Sequence, residues 1–235
     1  MVKMSVLLKK NRNLSIPEFH RYWLNEHCDI AMRTPSWYSY IRKYVQTHTL
    51  HEMYEDNPPA FDGVAQVWFD SLESYQSWAQ LPELSVIAED EEKLFERDKL
   101  GGLITNEKEI QAVPDWEQKS KIKAVAVIRK AAHLSVEEYH DYWLNTHGPL
   151  VKNRPWWKHC NRYVQNHIEY DAYPSGEVPY NYNGMAEFWF TDYAEFKKWQ
   201  AALAEDEVVL ADEKKFVGEA EFIITSEVQK QPASQ

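Results

Sequence analysis

Two stretches of the chain repeat the same residues with chemical potential: "FHRYWLNEHCDIA" from Phe19 to Ala31 and "YHDYWLNTHGPLV" from Tyr139 to Val151. Each places one histidine seven residues after another, with a Tyr and a Trp between them. Seven helical residues rise about 10.5 Å, too far for both rings to grip one metal ion, and helical metal pairs use i, i+4 spacing. No other grouping of His, Cys and carboxylates has ligand spacing, so no metal site is expected. Proton transfer is a chemistry these histidines could support. On a helix His20 and His27 lie about 20° apart around the axis with Trp23 beside them, and His140, His147 and Trp143 repeat that face.

His147 stands just before Gly148-Pro149, where a helix is expected to end. Terminal carbonyls favour a protonated ring and burial against Trp favours a neutral one, a balance that suits acid–base catalysis near neutral pH. The alternative is a ring that bonds a buried carbonyl and holds the turn. His20 and His140, near the helix start, read as partly exposed structural groups. A second candidate wall is the strand "YVQNH", whose alternation puts Tyr163, Gln165 and His167 on one face, with Val164 and Asn166 on the other. Tyr44, Gln46 and His48 repeat it. Such a face offers hydrogen bonds to a ligand, or else satisfies its own polar groups.

These residues sit in a duplicated chain. "LSIPEFHRYWLNEH" matches "LSVEEYHDYWLNTH", "RKYVQTH" matches "NRYVQNH", "DGVAQVWF" matches "NGMAEFWF", and "DEEKLF" matches "ADEKKF". The offset stays between 119 and 121, and a period near 120 is domain-sized rather than solenoid-sized. Each copy reads β-α-β-β-α-β, the ferredoxin-like order. Ser15-x-x-Glu18 and Ser135-x-x-Glu138 have capping-box spacing at the start of the first helix. Expected boundaries are 1–109 and 121–229, with a linker at 110–120 and a frayed tail at 230–235. One such unit leaves a sheet face uncovered; that face is expected to be apolar and to pair sheet-to-sheet with its copy.

Composition narrows the partners. With 44% hydrophobic and 14% aromatic residues, including ten Trp and fourteen Tyr, the chain can bury a core and line a pocket for a flat ligand. A net charge of −11 disfavours nucleic acid and anionic membranes. No apolar run approaches the ~20 residues of a membrane span, and the start does not read as a signal peptide. Cys28 and Cys160 make no disulfide framework, so a soluble cytoplasmic protein is expected. Gly is scarce, and no phosphate loop, nucleophile elbow or C-x-x-C is present. Acidic runs such as "AEDEEKLFERD" read as solvated helix faces.

The pattern Ser-x-x-Glu-Phe/Tyr-His-x-Tyr-Trp-x-x-x-His-Gly-Pro, followed by "RYVQNH" and "EFWF", resembles the EthD family of dimeric α+β barrel proteins. The resemblance runs through both halves and implies two fused units forming an intramolecular barrel. It further implies cofactor-free chemistry on aromatic or polyketide-like small molecules, decarboxylation and dehydration included. The wider superfamily also holds monooxygenases, cyclases, hydroxynitrile lyases and haem enzymes, so one histidine could serve as an axial haem ligand.

The leading expectation is a cofactor-independent lyase for a small aromatic or hydrophobic metabolite, with a cofactor-free monooxygenase or a non-catalytic binding protein as alternatives. A homodimer of the tandem chain is a further expectation. Catalytic candidates are His147, His27, His167 and Tyr142. Substrate-binding candidates are Tyr163, Gln165, Trp143, His48, Tyr44, Tyr22 and Trp23. The copies differ: copy one replaces "HGP" by "HCD", a change expected to extend its helix and turn His27 elsewhere, with Asp29 beside it. Copy two has a longer loop whose four Tyr could cover a ligand, and is the better candidate site.

Overall fold

Ser15 and Ser135 start the first helix of each copy as their spacing requires. Glu18 Oε2 accepts from the Ser15 N–H at 2.9 Å while Ser15 Oγ accepts from the Glu18 N–H, and Ser135 with Glu138 makes the same reciprocal pair. The computed structural model describes residues 1–55, 58–97, 100–173 and 175–231. It divides into unit 1 (1–106, 169–179 and 227 onward) and unit 2 (107–168 and 180–226).

In unit 1, β1 (Val2–Leu8) leads into α1 (Ile16–Tyr22), a π-helical turn (Trp23–His27) and α2 (Cys28–Met32). Then follow β2 (Lys43–Thr49), β3 (Gly63–Phe69), α3 (Leu72–Ala79), α4 (Ser85–Leu94) and β4 (Gly101–Ala112). Pairing is antiparallel in the order β4-β1-β3-β2. The chain's last residues complete this unit. Gln231 accepts from the Trp37 indole at 2.7 Å and donates to the Ile41 carbonyl, and Lys230 donates to the Leu24 carbonyl. Lys230 and Gln231 of the expected frayed tail are therefore strand residues; 232–235 lie outside the described residues.

Unit 2 repeats the order with β5 (Ile122–Lys130), α5 (Val136–Tyr142), a π-turn (Trp143–His147), α6 (Gly148–Lys152) and β6 (Arg162–Ile168). β7 (Gly184–Phe190), α7 (Tyr193–Ala204), α8 (Glu207–Glu213) and β8 (Val217–Gln231) complete it, paired antiparallel as β8-β5-β7-β6.

Three expectations change here. Gly148 does not end the helix: at φ −53°, ψ −53° it is right-handed, and its N–H bonds the Trp143 carbonyl five residues back. That wider turn has already interrupted the i→i−4 ladder, so Pro149, lacking an N–H, breaks nothing. The "HCD" copy follows the same path, so its helix is not extended relative to its partner. Finally, the sheet face away from the helices is not simply apolar. Lys123 Nζ and Glu187 Oε1 pair there at 2.7 Å with both side chains 1% exposed, and Asn166 donates to Glu187. Charges survive such burial only when paired and hydrogen-bonded.

The two tryptophans that follow α1 and α5 need glycine opposite them. A Cβ on Gly63 would stand 2.6 Å from the Trp23 ring, and one on Gly184 would collide with Trp143 and Tyr139. The "DG" and "NG" that open β3 and β7 thus let an indole lie directly on the sheet.

Candidate active site

His147 ends the π-turn of unit 2 and is 6% exposed. Its Nδ1 lies 2.9 Å from Asp212 Oδ2, while Asp212 Oδ1 accepts from the Tyr142 hydroxyl at 2.5 Å and from Lys215 Nζ at 3.2 Å. A carboxylate only accepts, so Nδ1 carries the hydrogen and Nε2 the lone pair of the neutral ring. Burial holds the His147 pKa below the ordinary value of 6.5, against the opposing pull of Asp212. Burial raises the Asp212 pKa, but bonds from Tyr142, His147 and Lys215 outweigh it and keep the carboxyl below its usual value. The result is a neutral imidazole braced by an anion, the state a general base requires.

His147 forms part of the wall of a cavity of about 180 Å³ between the unit 2 sheet and its helices. Ala126, Ala186 and Ala220 on the strands leave the space, and Trp143, Tyr163, Phe188, Trp199 and Phe216 supply flat walls. Glu213 is the one acidic residue on this wall. Burial, and then the neighbouring Asp212 charge, raise its pKa, which favours the protonated acid.

Helix α8 carries both carboxyls and is held in place by its own cap. Asp206 Oδ1 accepts from the Val209 N–H; its oxygens also take two bonds from Arg154, each 2.6 Å, and one from the Trp156 indole at 2.8 Å. This clamp fixes the height at which Asp212 meets His147.

The strand candidates form a directed chain. The Trp143 carbonyl can only accept, so the Gln165 atom 2.9 Å from it is the amide nitrogen; the same nitrogen donates to the Tyr163 oxygen at 3.1 Å. Gln165 Oε1 then accepts from His167 Nε2 at 3.0 Å. His167 packs on Trp143, ring centroids 4.7 Å apart, and burial with neighbouring positive groups pushes its pKa down to about 3. Tyr163 and Trp143 line the cavity; Gln165, His167 and Tyr142 do not. Tyr142 instead faces a surface recess with Thr146, Pro149 and Lys215, and reaches the Asp212 oxygen that His147 does not bond.

Unit 1 reproduces the acid–base cluster. His27 Nδ1 lies 2.9 Å from Asp90 Oδ2, which is approached by the Tyr22 hydroxyl at 2.7 Å and by Lys93 at 3.2 Å through the other oxygen. Its Asp90 bond pushes the Tyr22 phenol up to about 12. His27 has therefore not turned elsewhere, and Asp29 pairs at 3.4 Å with Arg33 instead of with His27. Gln46 donates to Trp23's carbonyl and to Tyr44, and accepts from His48, whose Nδ1 lies 2.8 Å from that of His20. Cys28, Trp37, Tyr44 and Trp78 belong to one packed core cluster of this unit.

The π-turn separates each pair of histidines expected on one helix face: His20 meets the strand, His27 the acidic helix. The aspartates were hidden in stretches read as solvated, yet Asp90 and Asp212 are 2% and 3% exposed. Matching "DEEKLF" with "ADEKKF" aligns Asp90 with Ala211; the bonds to His27 and His147 align it with Asp212, an offset of 122. The four loop tyrosines do not line the cavity; Tyr173 bonds the Gly102 carbonyl and Tyr182 bonds Glu221.

Among the described residues no cluster of three His, Cys, Asp or Glu is placed to hold a metal, and no helix is long and apolar enough to cross a membrane. This cavity does not fit a haem: a cavity near 150 Å³ accepts benzene, and the macrocycle is several times larger.

The profile of the EthD domain matches residues 11–98 and 131–220. No curated protein matches the chain. Among solved structures, an anthrone oxidase-like protein superposes with a TM-score of 0.65 at 9% identity, covering 100% of this chain and 96% of that one. A candidate monooxygenase from Lactobacillus acidophilus gives 0.53 at 8% identity, covering 99% and 97%. A candidate chlorite dismutase gives 0.52 at 11%, covering 97% and 94%. Likeness at such identities shows the fold alone.

Proposed function

The chain belongs to the EthD family, carrying the domain twice, and we propose that unit 2 is a cofactor-independent lyase for a small aromatic or hydrophobic metabolite. The observation that carries this reading is the His147–Asp212 pair at 2.9 Å on the wall of an apolar, aromatic-lined cavity that also holds Glu213. His147 Nε2 removes a proton from a substrate C–H. The electron pair forms the new double bond as the bond to the leaving group breaks, and protonated Glu213 delivers its proton to that group. The proton on His147 then returns to the Glu213 carboxylate, restoring both. Asp212 is a positioning residue: it fixes the tautomer and steadies the imidazolium. Tyr142 and Lys215 hold Asp212 in turn.

Two features favour proton transfer with elimination. Base and acid share one cavity, and their environments push their pKa values apart in the directions each role needs. A second reading is a cofactor-free monooxygenase, in which the carbanion left by His147 meets oxygen; the likeness to an anthrone oxidase-like protein and a candidate monooxygenase supports it. Benzisoxazole tests the base on which both readings rest, because a base opens it by removing the ring C–H as the N–O bond breaks to give a cyanophenol; oxygen uptake on a C–H-acidic aromatic ketone separates them. The protein is expected to accelerate this reaction without consuming oxygen, and His147→Ala to lower kcat/KM by about 10²-fold or more with the circular dichroism unchanged. Full activity in that variant would remove His147 from the mechanism.

A further inference from the structure

The direction of the hydrogen bonds around Tyr163 has a consequence for what the cavity accepts. The Tyr163 oxygen already receives two N–H donors, the Trp143 indole at 3.0 Å and the Gln165 amide at 3.1 Å. Neither assignment can be reversed: an indole nitrogen only donates, and the Gln165 nitrogen is fixed by the Trp143 carbonyl. The phenol's single hydrogen must therefore go to a third partner. Among the described residues nothing accepts it, although Tyr163 is 1% exposed and lines the cavity. Burial also raises the phenol's pKa, so the hydrogen stays on the oxygen.

A second donor on the same wall is unanswered. The Trp199 indole nitrogen is buried and meets no hydrogen-bond partner among the described residues. Both rings pack against Phe188, with centroids 4.4 Å from Tyr163 and 5.0 Å from Trp199. Orphan buried donors are rare and costly in folded proteins, and here two sit beside one apolar space.

We propose that the unit 2 cavity binds a single-ring aromatic compound through an acceptor oxygen, a ketone or a phenolate, held by the Tyr163 hydroxyl with the Trp199 indole as second donor. This rests on the reading of the cavity as the substrate site, and names the class of substrate. The cavity's size limits the ligand to one benzene ring with a small substituent or fused ring, since about 180 Å³ is close to the space that takes benzene. Gln165 and His167 are positioning residues: they aim the phenol's hydrogen without touching the ligand. In an elimination the same oxygen stabilises the charge that forms when His147 takes the neighbouring C–H proton.

The test uses two probes of equal shape, acetophenone and α-methylstyrene, which differ in C=O against C=CH2. Titration calorimetry on the full chain is expected to show Tyr163→Phe weakening acetophenone about tenfold while leaving α-methylstyrene within about twofold. Equal loss for both probes, no loss for either, or failure of the wild type to bind acetophenone overturns the proposal. Should Tyr163→Phe not fold, the infrared carbonyl band of acetophenone bound to wild type decides. It should lie below its position in hydrocarbon solvent, and a band at the hydrocarbon position overturns the proposal. His147→Ala is expected to keep the binding and the shifted band while losing elimination, so failure of the base and failure of the oxygen site read differently.

Discussion

At the scale of single residues, the function proposed turns on which state His147 holds at neutral pH. Burial lowers its pKa from 6.5 and Asp212 pulls it back, with burial the larger effect. The base form therefore gains as pH rises through a pKa below 6.5, so the elimination rate should climb with pH there and fall again as Glu213, whose pKa is raised, gives up its proton. Asp212→Asn removes the effect that raises the pKa, so the inflection should move to lower pH. The maximal rate should fall as well, because an amide no longer selects the Nδ1–H tautomer. An inflection that moves up in Asp212→Asn would contradict the assignment. His147 itself was legible in the sequence, because packing does not explain a second histidine in each copy. Asp212 was not. Its stretch from Leu210 to Lys215 carries four charged residues in six positions, and charge of that density reads as solvated surface. Only the fold reveals that one face of α8 turns inward.

At the scale of elements, the succession of strands and helices, the capping boxes and the alternation of β2 and β6 were legible because these follow from local pattern. The π-turn does not, since periodicity assumes 3.6 residues per turn throughout. That single wide turn sends His140 toward β6 and β7 and His147 toward α8. Its packing depends on Gly184, where β7 must pass directly beneath Trp143. Gly184→Ala forces the indole and Tyr139 aside. It should cost about 1–3 kcal/mol by urea denaturation, as overpacking does, and should lower elimination more than it lowers stability at 25 °C. A variant as stable and active as wild type would show that the close approach is not needed.

At the scale of the molecule, two copies were legible from repeated motifs; that the chain's last strand residues group with unit 1 was not, because local pattern does not name a strand's partners. Residues beyond Glu227 belong with unit 1, where Gln231, 8% exposed, joins Trp37 to the Ile41 carbonyl. A chain ending at Ser226 should therefore lose stability in unit 1, although the deleted residues begin inside copy two. The Trp37 environment should change first on heating, and an unchanged melting curve would contradict this account. The duplication also bears on activity. Both units keep the His–Asp–Tyr–Lys cluster, while the aromatic-lined cavity beside His147 lies in unit 2. The most direct test compares benzisoxazole elimination in His147→Ala and His27→Ala, each in the full chain. The account predicts a fall of about 10²-fold or more for His147→Ala and a rate within about twofold of wild type for His27→Ala. Activity kept by His147→Ala and lost by His27→Ala would contradict it.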